Sequence, residues 1–197
     1  MIKKVVFIIS LISLLLACEQ KDKQTDRLAV AQDYYEMLNT NDLAALPRLM
    51  TDSITTREPK YDYQQTFARS GYVDWMKWDA MFKPNYEVLK MEEVDSTVVV
   101  EVAKSCKRIE FLHGEPIITR QVLYFDEQRI SIVETKDEIV FKDSVWVANR
   151  QKLLDFMQDS FPEFESFIFD QTEEGAQRYL QAIVWYEDVK GVNANFK

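Results

Sequence analysis

Side chains that commonly act as nucleophiles or metal ligands are scarce in this chain of 197 residues: two cysteines, Cys18 and Cys106, and a single histidine, His113. A zinc site assembles several Cys, His or carboxylate ligands around one point, and clusters of that kind are missing from the sequence, so no metal and no cofactor is expected. A serine–histidine relay would have to run through His113. That residue stands in "LHGEP", where the glycine and proline predict an exposed hairpin turn remote from any pocket. Cys106 falls in a run with strand-like composition. Its thiol would need Lys104, Lys107 or Arg108 on the same face to form a thiolate, and it is expected to be inert. Lone Cys106 has no partner for an intramolecular disulfide once Cys18 is otherwise used, so the fold must rest on its apolar core. Acids outnumber bases, and the formal net charge is −9. That sign repels phosphate backbones and argues against nucleic acid as a partner.

Cys18 has a different context. Lys3 and Lys4 precede an apolar run from Val5 to Leu16, interrupted only by Ser10 and Ser13. The run is shorter than the about 20 residues a membrane-spanning helix needs, and it fits the apolar region of a secretory signal. It ends in "LLAC", residues 15–18, which resembles a bacterial lipobox. The resemblance implies cleavage after Ala17 and acylation of Cys18, with residues 1–17 as the signal peptide. An ordinary secretory signal with an incidental Cys18 is the alternative. Acyl chains such as palmitate contribute about 0.8 kcal/mol per buried CH₂, enough for two or three chains to hold a protein on a bilayer. Residues 19–27, "EQKDKQTDR", contain nothing apolar. Residues 18–27 therefore read as a lipidated tether spanning roughly 15–18 Å. The stretch is similar to the export signal of surface lipoproteins in Bacteroidota. The expected location is the outer membrane of a Gram-negative bacterium, on its periplasmic or surface face.

The remaining residues must form the elements that position any site. Leu28, Ala31, Tyr35 and Leu38 recur at helical spacing. "NTND" breaks that helix, and Asp42 is placed to cap a second one over Leu43–Met50. Residues 51–59 favour an extended segment stopping at Pro59, and 60–70 read as a loop or short helix. Residues 71–82 are helical, with Trp75, Trp78 and Phe82 on one face as core or as the wall of a pocket, and Asp79 beside them in solvent. Pro84 ends the helix. Four strand-like runs follow: 86–94, a long one at 96–112 expected to bend, 116–125 and 129–136, with turns at 113–116 and 126–128. An antiparallel sheet with one face on the helices accounts for them. Residues 142–197 suggest two further helices, through Leu153, Leu154 and Met157 and through Tyr179, Leu180, Ile183 and Val184, with aromatic "FPEFESFIF" between them. No flexible linker precedes them, so they are expected to pack as an extension on the same domain.

The order of these elements resembles the NTF2-like superfamily, whose fold is also called cystatin-like, and within it the SnoaL and ketosteroid isomerase branch. The resemblance spans about residues 27–138. It rests on "DYYEMLNTNDLAALPRLMTDSITTREP" at 33–59, "RSG" at 69–71 and "RQVLYFDEQRISIVE" at 120–134. It implies an α+β cone over residues 28–141, a curved antiparallel sheet wrapped on the N-terminal helices, with 142–197 as a helical appendage. In that branch a carboxylate moves a proton next to a carbonyl, and a tyrosine and a protonated acid stabilise the oxyanion. By position, Tyr34 falls on the tyrosine, Glu58 on the carboxylate and Gln121 on the second donor. Glu58 is one methylene longer than the aspartate expected, and an amide replaces the acid at Gln121. Each residue also has a structural reading: Tyr34 as core, Glu58 as a solvated carboxylate or a partner of Arg57, Gln121 as an ordinary strand residue. Two functions follow. One is a lipoprotein whose cone binds a small apolar ligand, or whose aromatic extension binds a partner protein or a second copy. The other is an isomerase- or cyclase-like enzyme using Glu58 as base and Tyr34 as oxyanion donor.

Overall fold

The computed structural model describes residues 26–162 and 166–194. The expected signal peptide, acylated Cys18 and nearly all of the tether lie outside the described residues.

Helix α1 (Arg27–Thr40) starts where the Asp26 carboxylate accepts from the Ala29 amide at 3.0 Å, the N-cap bond that satisfies an orphan donor. It stops at Asn41, in the left-handed conformation. Ala31, Tyr34, Tyr35 and Leu38 form its buried face, and Leu28 remains exposed. The second helix is shorter than expected. Asp42 turns the chain by accepting from Ala44 at 3.1 Å, and α2 covers only Leu46–Leu49 with Pro47 in its first turn. Strand β1 (Met50–Glu58) follows and ends before Pro59. The segment read as loop or short helix instead contains strand β2 (Tyr63–Ala68), paired antiparallel with β1 from Glu58↔Tyr63 to Ser53↔Ala68. Helix α3 (Arg69–Met81) packs across the sheet.

Strands β3 (Asn85–Val94) and β4 (Thr97–Ser105) form a hairpin. The expected strand over 96–112 ends at Ser105. Cys106 accepts through Sγ from the Ile109 amide at 3.4 Å and starts helix α4 (Lys107–His113), which Gly114 closes at φ +84°. Strands β5 (Ile117–Asp126) and β6 (Arg129–Val140) complete a sheet of order β2-β1-β6-β5-β4-β3. The four long strands are antiparallel, as expected, and β1 joins β6 in parallel. Register shifts along β5/β6 bend the sheet round α1 and α3, because a bulge adds local twist.

Helices α5 (Asp143–Ser160) and α6 (Glu173–Ala194) form the extension. Leu153, Met157, Tyr179 and Ala182 share an apolar cluster with Trp78, Phe82 and Leu112, so the extension rests directly on α3 and α4. His113 joins the two parts, contrary to its expected surface position. It is 3% exposed, its Nε2 accepts from the Lys142 amide at 2.8 Å, and its ring stacks on Phe141. With Nε2 accepting, the proton is on Nδ1, which donates to the Glu115 carbonyl at 2.7 Å. Among the described residues, no helix is long and apolar enough to cross a membrane.

Candidate functional site

Burying one face each of α1 and α3 against a bent sheet leaves a cavity of about 640 Å³ open to solvent. Tyr34, Glu58, Gln121, Trp75 and Trp78 all line it. The helical period of α1 turns Tyr34 inward, and Trp75 and Trp78 lie one short step apart on α3. Phe82 does not line the cavity. It is 0% exposed, one turn beyond Trp78, in edge contact with Trp78 and Tyr179 at 5.1 and 5.7 Å. The extension covers that end of α3 and takes Phe82 into the second core.

The polar groups of the cavity are largely bonded to one another. The Tyr34 and Tyr72 hydroxyls are 2.9 Å apart, and either can donate. Burial pushes the Tyr34 phenol up to about 12 and holds Tyr72 well above the usual tyrosine range. The Tyr35 hydroxyl donates to Gln121 Oε1 at 2.8 Å, which orients the amide and leaves its NH₂ as the available donor. Glu58 is at the mouth, on the last residue of β1, with an exposed side chain. Partial burial at the rim raises its carboxyl above the ordinary value, and the Glu138 carboxylate adds to the rise. Arg57 does not pair with Glu58: it donates to Gln64 at 3.0 Å and faces Glu134 at 3.7 Å.

Asp79, expected in solvent, is 3% exposed. It accepts from the Tyr86 hydroxyl and from Lys104 Nζ, both at 2.7 Å. Lys104 lies 4.6 Å over the Tyr86 ring, which further stabilises the ammonium. A buried carboxylate in an apolar site needs such bonds. Its sequence signal was the spacing Trp75, Asp79, Phe82, which puts an acid on the apolar face of α3. Tyr35, Tyr72 and Lys104 do not stand out in the sequence as site residues, because their partners are distant in sequence. Arg108 also lines the cavity, and the extension supplies Gln171 to its wall. Among the described residues, no group of three or more His, Cys, Asp or Glu is placed to hold a metal ion. The chemistry within reach is therefore recognition of a flat apolar molecule by aromatic faces, hydrogen bonding through the phenols and the Gln121 amide, and proton transfer at Glu58.

Neither a protein-family model nor a curated protein matches this sequence. Solved structures do. A candidate polyketide cyclase from Acidithiobacillus ferrooxidans superposes with a TM-score of 0.51 at 15% identity, over 66% of this chain and 97% of that one. A candidate ketosteroid isomerase from Kribbella flavida gives 0.48 at 15% identity, over 60% and 83%. An NTF2-like protein of unknown function from Cytophaga hutchinsonii gives 0.45 at 17% identity, over 57% and 90%. The first of these likenesses shows the fold alone, an α+β architecture with a curved six-stranded sheet.

Proposed function

We propose that this NTF2-like cone is a binding module that holds one small, largely apolar molecule, on a chain anchored to the outer membrane through acylated Cys18. The observation that carries the reading is the open cavity of about 640 Å³, within the about 300–1,000 Å³ usual for ligand sites. Its inner phenols and carboxylate are committed to one another, and the partly exposed rings of Trp75 and Phe67 are left for the ligand. Calorimetry with a panel of bicyclic and tricyclic aromatic compounds tests it. Saturable one-to-one binding with a negative heat-capacity change is expected, as apolar burial produces. The absence of saturable binding across the panel would refute it.

The anchor rests on "LLAC" and the segment before it. Cys18→Ala should abolish metabolic labelling by a fatty-acid analogue and leave the precursor uncleaved. Normal labelling of that variant would contradict the anchor.

One observation favours a second, catalytic reading: Glu58 and Tyr34 share the cavity, and the Glu58 carboxyl is held above its ordinary value. Tyr72 can donate into the Tyr34 oxygen, freeing the Tyr34 hydrogen for a ligand carbonyl. In this reading the protein exchanges the hydrogens α to the carbonyl of a bound cyclic ketone with deuterium. Glu58→Gln should then slow exchange by about 100-fold or more, the usual size of a general-base effect, and spare binding. Exchange no faster than in buffer for the unaltered protein would eliminate the enzyme.

A further inference from the structure

The cations that line the cavity differ in how they are compensated. Lys104 is paired with Asp79 at 2.7 Å, and Arg57 faces Glu134 at 3.7 Å. Arg108, on α4, has no carboxylate partner among the described residues. Its guanidinium instead packs against three rings, 4.8 Å from the centre of Trp78, 5.5 Å from Phe82 and 5.6 Å from Trp146. Rings attract a cation through their faces, yet they offer no acceptor in the plane of its N–H groups. Arg108 Nε is buried with no hydrogen-bond partner. Trp78, itself 4% exposed, leaves its Nε1–H buried and unpartnered in the same way. Both residues line the one cavity.

Two buried donors without an acceptor, on neighbouring residues that line one cavity, are unfavourable unless something else supplies the acceptor. For packing alone, an apolar side chain among Trp78, Phe82 and Trp146 would avoid the desolvation of a charge. We propose that the occupant is an aromatic or alicyclic carboxylate, with its carboxylate received by Arg108 and Trp78 and its apolar body on Trp75 and Phe67. This rests on the cavity being the binding site. A carboxylate matches the donor set because its two oxygens accept together from a guanidinium and a neighbouring N–H. The other charged groups facing the cavity do not oppose it strongly. Asp79 is neutralised by Lys104, and Glu58 is exposed at the mouth, where water and salt screen it.

Calorimetric titration of the whole protein with naphthoate and anthracene carboxylate, each beside its neutral primary amide, separates the outcomes. The carboxylates should bind about tenfold or more tightly than their amides, since charge-assisted bonds exceed neutral ones. The ratio should fall close to one in Arg108→Gln and recover in part in Arg108→Lys, which restores the charge without the planar fork. Amides that bind the unaltered protein as tightly as their carboxylates would overturn the assignment, and that comparison needs no variant to fold. A preference that survives Arg108→Gln would also overturn it. If neither member of any pair binds, the cavity reading itself fails, and the ligand class with it.

Discussion

Between pH about 10 and 12 the protein should lose its fold in one cooperative step, with its buried tyrosines ionising in that step. The ordinary phenol value is 10.0, and burial pushes Tyr34 up to about 12. Tyr35, Tyr72 and Tyr86 are held well above the ordinary value, chiefly by burial. An ionised Tyr86 would face the Asp79 carboxylate. The native state therefore keeps protons that the unfolded chain releases from about pH 10 upward. Stability falls as pH rises wherever the native state binds more protons, so this contribution is complete below the unfolded value and lost by the folded one. For Tyr34 alone the two-unit rise corresponds to about 3 kcal/mol, against a total stability of about 5–15 kcal/mol. Parallel titrations followed by phenolate absorbance and far-ultraviolet circular dichroism check this. Buried tyrosines that ionise gradually through this range in a folded protein would contradict the burial of Tyr34, Tyr35, Tyr72 and Tyr86 in the core.

Phe82→Ala is the substitution expected to be most damaging, at about 3–5 kcal/mol, the range for removing a buried phenylalanine ring. Phe82 is fully buried between Trp78 and Tyr179, and it belongs to the cluster that includes Leu153, Met157 and Ala182. Little can collapse into the space, because the neighbours come from four different helices whose backbones are held elsewhere. The loss should also loosen Trp78, and through it the wall of the cavity. Urea unfolding measures the effect. A change under about 1 kcal/mol, the scale of an ordinary surface substitution, would mean that the extension does not pack on α3 in solution.

The sequence carried the framework where local pattern decides structure. The apolar spacing of Ala31, Tyr35 and Leu38, the strand-like runs after Pro84 and the stop at Pro59 are local signals, and α1, β3, β5, β6 and the end of β1 follow them. Strand β2 was not legible, because "YQQTFA" is an edge strand with mostly exposed residues and so lacks an apolar alternation. Helix α4 was hidden because Ile109, Phe111 and Leu112 suit a strand as well as a helix, and a cysteine is an unusual cap. Asp79 and His113 read from sequence as solvent residues for one reason: their partners, Lys104 and the Lys142 amide, are brought to them by tertiary folding. Tyr35 and Gln121 are joined across 86 positions of sequence. The candidate residues Tyr34, Glu58 and Gln121 could be reached only through the family resemblance, since each alone reads as ordinary core, loop or strand. Arg108 gave no signal until α4 replaced the expected strand.

The most direct test of the cavity as the ligand site is the position of a bound ligand. A crystal structure of the protein soaked with naphthoate should show the rings against Trp75 and Phe67, within the cavity lined by Tyr34 and Gln121. Naphthoate bound only in the groove beside Leu154 and Phe167 of the extension, with the cone cavity holding water alone, would contradict it.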